Sequence, residues 1–168
     1  LSSSIYQYSL STGFDLSTAS YNSVSFSVSS QEIYPTGVTF NTDGTKMYMI
    51  GNNNDTIHQY SLSTGFDLST ASYDSVSLSV SSQDTNPSSV TFNSDGTKMY
   101  IIGVIGGNVL QYSLSTGFDL STASYDSVSF SVSSQETNPF ALAFNTDGTK
   151  MYVTGIINDA IYQYSTGL

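Results

Sequence analysis

The segment PTGVTFNTDGTKMYMIG, at residues 35–51, contains two β-strand patterns separated by a tight turn. The first pattern, GVTFN at 37–41, alternates apolar and polar residues and is typical of a strand with one buried face. Asp43 and Gly44 follow as a hairpin signal, because glycine tolerates the positive φ that such turns require. The second pattern, KMYMIG at 46–51, is almost continuously apolar and predicts a strand buried on both faces. The segment therefore predicts a β-hairpin, whose strands we name A and B.

The same hairpin occurs twice more, as PSSVTFNSDGTKMYIIG at 87–103 and as PFALAFNTDGTKMYVTG at 139–155. The interval is 52 residues each time, and it divides residues 1–168 into three near-identical repeats and one partial repeat of a single predicted domain: 5–56, 57–108, 109–160 and 161–168. A repeat of about 50 residues is typical of solenoids, arrays and propellers.

Each repeat also contains two Ser-rich or mixed strand patterns. Strand C is IHQYSL at 57–62, and strand D is VSLSVSS at 76–82, where apolar residues alternate with serine. Four consecutive antiparallel strands, with the serine-rich strand outermost, predict the four-stranded blade of an all-β β-propeller. A β-solenoid is the main alternative, although its repeating rungs are usually shorter.

The three hairpin segments resemble the Pro…Phe-x-x-Asp-Gly-Thr/Lys…Tyr-Val pattern of YVTN-type and WD-like β-propeller repeats. The resemblance implies a propeller built of four-stranded antiparallel blades. It implies no particular activity, because such propellers host many unrelated functions.

Strand order predicts that this chain closes its ring by self-assembly. The order C-D, A-B-C-D, A-B-C-D, A-B-C gives three blades and one surplus strand C, whereas propellers have about four to eight blades. We therefore expect a homodimer with six blades, or second a homotrimer with nine; a piece of a longer propeller is a third possibility. The A-B pair at 142–154 is expected to join the neighbour's C-D pair at 5–10 and 22–30. Because strand C at 5–10 is tethered to its own strand D, it is expected to displace the copy at 161–165.

Composition argues against several partners. The chain has 13 acidic residues, three Lys or Arg residues and a formal net charge of −10, so nucleic acid is not an expected partner. No apolar run is long enough to cross a membrane, and no cofactor is expected. The lack of cysteine leaves the compartment open.

Three groups of polar residues resemble chemical sites but are expected to have structural roles. His58 has Tyr6, Leu110 and Tyr162 as its equivalents, so a strand residue without catalytic function is expected. The turn aspartates are expected to accept backbone N–H bonds rather than to bind calcium. A possible carboxylate ring is expected to be solvent-exposed loop charge rather than a glycosidase site: Glu32, Asp84 and Glu136.

The segment GFDLSTASY, at 13–21, 65–73 and 117–125, is identical in all three repeats. Its apolar residues are expected to pack the C–D connection against the blade. Its aspartates, Asp15, Asp67 and Asp119, are expected to cap a local turn.

Differences between the repeats are concentrated in two connections. The D–A connections occupy 32–37, 84–89 and 136–141, and the B–C connections occupy 51–56, 103–108 and 155–160. In an antiparallel blade these connections emerge on one face, which we name the varied face, and the nearly unchanged A–B and C–D connections emerge on the other. Neutral drift of unconstrained loops is the competing explanation. The apolar residues of the B–C connections are expected either to extend strand B or to pack against a neighbouring blade: Val104, Ile105, Ile156 and Ile157.

A rigid scaffold with variable loops is a common design for binding. The sequence therefore predicts a non-enzymatic, self-assembling binding or display scaffold for a glycan or protein ligand, without a metal. The alternatives are a structural or designed repeat protein without a ligand, and a glycan-active hydrolase or lyase with a site at the channel mouth. The candidate ligand-binding residues offer aromatic and amide groups: Tyr34, Asn53, Asn54, Asn86, Asn138 and Phe140.

Overall fold

The computed structural model describes residues 3–166, and this part of the chain folds into β-strands joined by turns and three short 3-10 turns. The thirteen strands are β1 (Ser4–Leu10), β2 (Ala19–Ser27), β3 (Pro35–Phe40), β4 (Lys46–Gly51), β5 (Thr56–Leu62), β6 (Ala71–Ser79), β7 (Pro87–Phe92), β8 (Lys98–Gly103), β9 (Asn108–Leu114), β10 (Ala123–Ser131), β11 (Pro139–Phe144), β12 (Lys150–Gly155) and β13 (Ile161–Ser165). The last two residues of the predicted partial repeat, 167 and 168, lie outside the described residues.

The strands form two complete four-stranded antiparallel sheets and two incomplete ones. The complete sheets have the orders β3-β4-β5-β6 and β7-β8-β9-β10, which correspond to A-B-C-D. At the N-terminal end β1 pairs with β2, and at the C-terminal end the order is β11-β12-β13. The predicted propeller blades and strand order are confirmed.

The hairpin between strands A and B forms as its sequence predicts. Gly44 has a φ of 73°, and the N–H of Thr45 donates to Asp43 Oδ1 at 3.0 Å. The Thr45 hydroxyl also donates to this carboxylate, and these bonds lower the pKa of Asp43. The turn aspartate is therefore a backbone acceptor, as expected.

Strand D differs from its predicted bounds. In the first complete sheet it runs from Ala71 to Ser79 instead of 76–82, and the N-terminal copy covers 19–27 instead of 22–30. The reason is a β-bulge, because the pairing jumps from Val76 to Tyr73 and Ser75 has a φ of 59°. A bulge changes the phase of side-chain alternation, so the pattern on its N-terminal side no longer reads as the same strand. Strand A likewise runs 35–40 instead of 37–41.

The core lies between successive sheets. Val76 and Leu78 of the outer strand β6 pack in one cluster with Met99 and Ile101 of β8, a strand of the next sheet, and strand β4 is buried along nearly its whole length. The A strands lie innermost, since β7 contacts both β3 and β11, and Thr36 Oγ1 donates to the Pro87 carbonyl of the next repeat at 3.2 Å. In the part of the chain that the structure describes, no helix is long and apolar enough to cross a membrane.

Candidate functional site

The two varied connections of each repeat lie side by side on one face, as the sequence predicts. They are joined by a carboxylate that follows strand D. Glu32 Oε1 accepts the N–H of Tyr34 at 2.7 Å, and its Oε2 accepts the N–H of Asn54 at 3.3 Å. A single side chain thus binds the backbone of the D–A connection and the backbone of the B–C connection.

The other two repeats contain the same bridge. Asp84 binds the N–H of Asn86 at 2.7 Å and that of Gly106 at 3.0 Å. Glu136 binds the N–H of Asn138 at 2.9 Å and that of Asn158 at 3.2 Å. Aspartate replaces glutamate in the second repeat, where the connection GVIGGN also differs most from the others. The bridge is therefore retained while the loops that it joins change.

The expectation that Glu32, Asp84 and Glu136 are solvent-exposed loop charges is wrong, because all three are buried. The glycine that ends each strand B makes room for them. A Cβ atom added to Gly51 would lie 2.2 Å from Glu32 Cγ, and one added to Gly103 would lie 2.4 Å from Asp84 Cγ. The carboxylates act as internal hydrogen-bond acceptors that position the loops.

Five of the six candidate ligand-binding residues lie in the connections of the varied face, and Phe140 is the second residue of β11, directly after a D–A connection. Tyr34, Asn53, Asn54 and Phe140 are exposed, whereas Asn86 and Asn138 are half-buried. Asn52 Nδ2 donates to Asn86 Oδ1 at 3.0 Å, so the varied loops of the first two repeats touch. Asn54 Nδ2 donates to the Gln31 carbonyl at 3.0 Å, which fixes the direction of that amide.

Of the four apolar residues of the B–C connections, Val104 is half-buried directly after β8, whereas the three isoleucines neither extend strand B nor pack against a neighbouring blade. Strand β8 ends at Gly103, and Ile105, Ile156 and Ile157 are exposed on the varied face. The short loops turn away from the sheets before these residues are reached, which is why the expectation of burial is wrong. They add an apolar component to a surface that the sequence suggested would be mainly aromatic and amide in character.

Acidic groups give this face its electrostatic character. Burial raises the pKa of Asp55, and the neighbouring carboxylates Asp84 and Glu32 raise it further.

His58 is buried beside Tyr73, and burial lowers the pKa of its imidazole. Within residues 3–166 no group of three or more His, Asp or Glu side chains lies close enough to hold a metal ion.

Neither of the two cavities described here is lined by the six candidate residues. The first, of about 400 Å³, lies at the C-terminal end between β9, β10 and the incomplete sheet. The second, of about 260 Å³, lies between β3 and β7 on the opposite face and is lined partly by Thr39, Asn41 and Asn93. Sequence reasoning missed the first cavity, although the absence of a strand D after β13 was a signal for it.

The second C–D connection packs on its own blade, as expected, and also on the preceding repeat. Leu68 is 4% exposed and lies in a cluster with Val28, which follows β2. Its N–H donates to Gln7 Oε1 at 2.7 Å. The capping role of the aspartates is confirmed, since Asp67 Oδ1 accepts the N–H of Ser69 at 3.0 Å.

Fold and strand order define a β-propeller, and comparison with solved structures agrees. The chain is similar to a protein from Bacteroides uniformis that is provisionally assigned as a 6-phosphogluconolactonase (TM-score 0.66, 13% identity, 98% of this chain and 48% of the other). It is also similar to a functionally unknown protein from Desulfotomaculum acetoxidans (TM-score 0.65, 14% identity, 98% and 48%). The β-propeller domain of Cps50 (Swd1) from Myceliophteria thermophila matches with a TM-score of 0.51 at 9% identity over 78% of this chain and 39% of the other.

The chain therefore spans about half the length of the first two of these solved structures. At these identities the likeness concerns the fold alone. No protein-family model matches the chain, and no curated protein matches it in sequence.

Proposed function

We propose that this chain is a non-enzymatic β-propeller module of the YVTN type that assembles with copies of itself and binds a ligand on its varied face. The observation that carries the proposal is the separation of constant and changing residues. The frame of each repeat, including the carboxylate bridge, is retained, while the connections that it holds differ in size, polarity and apolar content. A rigid frame with changing loops is the usual basis of a binding surface.

The chemistry of the varied face favours a neutral, partly apolar ligand such as a glycan or a protein loop. Exposed Tyr34 and Phe140 offer aromatic faces, and Asn53 offers an amide. The net charge of −10 disfavours anionic ligands. Both oxygens of Glu32 accept backbone N–H bonds, which supports a positioning role for this carboxylate rather than a role as one of a catalytic pair.

An array of neutral oligosaccharides, probed with the labelled protein, tests the binding proposal. We expect retention of a glycan that falls about ten-fold when Tyr34 or Phe140 is changed to alanine, since loss of one aromatic contact at a binding hot spot costs more than about 1 kcal/mol. Thr42→Ala, an exposed change on the opposite face, is the matched control and should retain full binding. Equal losses in all three variants, or turnover of the bound glycan, would contradict the proposal.

A further inference from the structure

The C–D connection of the first repeat has no neighbour, although its sequence is identical to two connections that do. Leu16 is 80% exposed, whereas its equivalents Leu68 and Leu120 are 4% and 1% exposed. Phe14 is likewise fully exposed, and a Cβ added to Gly13 would have nothing within 4 Å. Within residues 3–166 no sheet precedes β1 and β2, so this connection lacks the surface on which its equivalents pack.

At the other end of the chain, the 400 Å³ cavity has the lining that holds this connection elsewhere. Leu120 lies in a cluster that includes Val76, Leu78, Phe92 and Met99. The cavity is lined by the residues 52 positions further along: Val128, Phe130, Phe144 and Met151. It is also lined by Gln111 and Gly148, whose equivalents Gln59 and Gly96 contact the connection that contains Leu120. The cavity is therefore the receptor site of a C–D connection that the sheet β11-β12-β13 does not have within residues 3–166.

Polar groups in the cavity match the same occupant. The N–H of Leu120 donates to Gln59 Oε1 at 2.8 Å, and the hydroxyl of Tyr48 donates to the Phe118 carbonyl. The equivalents of these two anchors, Gln111 and Tyr100, both line the cavity.

Glycine positions give an independent indication of what fits there. A Cβ added to Gly96 would lie 2.4 Å from the ring of Phe118, whereas one added to Gly148 would have nothing within 4 Å. The space over Gly148 therefore corresponds to the space that a phenylalanine ring fills over Gly96.

We propose that the C–D connection of a second copy, residues 13–16, occupies this cavity, so that each composite blade contains strands A and B of one copy and strands C and D of the other. This inference rests on the proposed self-assembly and assigns its contact surface. Leu16 then takes the place of Leu120, and the carbonyl of Phe14 accepts from Tyr100. Because strands C and D are fixed to their connection, β1 must lie beside β12, where β13 lies in the single chain.

The side chains at the end of strand C favour this exchange. The N–H of Thr166 donates to the Thr149 carbonyl at 3.0 Å. In the complete blades the equivalent hydrogen bond is donated by Leu62 or Leu114, so Thr166 stands at a position that is otherwise leucine. Both leucines are buried at 3% exposure. The incoming β1 brings Leu10 to this position, so it buries apolar surface that a threonine lacks. It also brings a strand D, which β13 has no means of supplying within residues 3–166.

Gly13→Ala in the full chain tests the proposed contact, with the mass in solution measured by light scattering over a dilution series. In the two C–D connections that are packed within the chain, the glycines equivalent to Gly13 have no room for a side chain. A Cβ added to Gly65 would lie 2.2 Å from a backbone carbonyl oxygen, and one added to Gly117 would lie 2.3 Å from another. The added methyl group is therefore harmless to the single chain and blocks docking. We expect wild type at a multiple of the 18.0 kDa chain mass and a dissociation constant about 30-fold higher or more for Gly13→Ala, because each ring contains at least two overpacked contacts.

Ser11→Ala is the matched control, because the equivalent Ser63 and Ser115 stay exposed in the docked connections. It should assemble as wild type does. Circular dichroism of the Gly13→Ala monomer should show an unchanged β-sheet spectrum. Leu16→Ser provides a second test, because it removes the apolar contact without adding volume and should also weaken assembly.

The outcomes separate the two proposals. A wild-type chain that stays monomeric would overturn both the self-assembly and its contact surface. Assembly that survives both Gly13→Ala and Leu16→Ser at wild-type strength would leave self-assembly standing and overturn the docking of 13–16.

Discussion

Replacing Asn22 by aspartate should tighten the assembly, because it completes an ion pair that both complete blades contain. Lys46 Nζ lies 2.8 Å from Asp74 Oδ2, and Lys98 Nζ lies 2.8 Å from Asp126 Oδ2. In the first repeat the position of these aspartates is taken by asparagine. The composite blade is therefore expected to lack one charge that the other blades have.

The lysine partner of this position is Lys150, in the third repeat. Residues 22 and 150 belong to the two incomplete sheets at opposite ends of the fold, so they meet only where strand D of one copy completes the blade of another. An energetic coupling between them consequently reports on the composite blade and on no contact within one chain.

The expected magnitude follows from the exposure of the existing pairs. The lysine side chains are 33% and 37% exposed, and the aspartates are 15% and 16% exposed. Partly exposed pairs of this kind stabilise by about 0.5 kcal/mol each. A dimeric ring has two composite blades, so Asn22→Asp should contribute about 1 kcal/mol and lower the dissociation constant about five-fold.

The gain should also depend on pH. Burial raises the pKa of Asp126, but hydrogen bonds from Lys98, Ser113 and Gln111 outweigh this effect and lower the pKa to about 2, from an ordinary value of 3.8. A carboxyl group with a lowered pKa stabilises the folded or assembled state above its ordinary pKa, and the contribution is lost as pH falls towards the lowered value. The tightening by Asn22→Asp should therefore be complete above about pH 5 and should decline between about pH 4 and 2.

Sedimentation velocity over a dilution series measures this effect in four proteins: wild type, Asn22→Asp, Lys150→Met and the double variant. We expect the five-fold gain only when Lys150 is present. Equal tightening in the Lys150→Met background, or none in either background, would refute the composite blade. The Asp126→Asn variant, whose lost ion pair lies within one chain, is the control for a general change in fold stability.

Three further outcomes are expected. Leu68→Ala should lower the free energy of unfolding by about 2–5 kcal/mol in urea titrations of dilute protein, whereas Leu16→Ala should leave it unchanged, because only the former is buried in the single chain. Asp84→Ala should cost about 2–4 kcal/mol in the same titration, because it leaves two backbone N–H groups of the varied face without their acceptor. Deletion of residues 161–168, of which 167 and 168 lie outside the described part, should preserve assembly in light scattering; its loss would mean that β13 stays in the ring.

The A–B hairpin could be predicted because its signals are local. A glycine at positive φ, an aspartate two residues before the N–H that it accepts, and an apolar strand all lie within 35–51. The order of the strands followed from the repeat alone. Strand D was misplaced because the bulge at Ser75 interrupts its alternation, and no single turn residue marks a bulge as Asp-Gly marks a hairpin.

The environment of the carboxylates could not be read from local sequence. Glu32 lies in a polar segment beside a proline-containing turn, which is the usual setting of an exposed charge. Its burial depends on the loop at Asn54, which is 22 residues away in sequence and supplies the second N–H bond. Comparison of the repeats offers an indirect indication that the carboxylates are buried. Each repeat keeps an acidic residue together with the glycine 19 residues later, while the neighbours of both change.

The burial of the C–D connection could not be predicted from its sequence at all. Its sequence is the same in all three repeats, yet Leu16 is exposed where Leu68 and Leu120 are buried. The burial of this segment depends on whether another blade lies beside it. Burial is therefore a property of the neighbouring blades rather than of the segment. Identical sequence with unequal burial is therefore an indicator of an unfilled contact in any chain built from near-identical repeats.

The geometry of the proposed contact between copies limits how many copies a closed ring can contain. A head-to-tail contact between copies uses two different surfaces, so it closes into a ring only when the blades complete a full turn, and otherwise extends into a filament. Two copies give six blades and three give nine, and propellers typically close with about four to eight. We therefore expect the dimer, because its six blades lie within this range and the nine blades of a trimer do not.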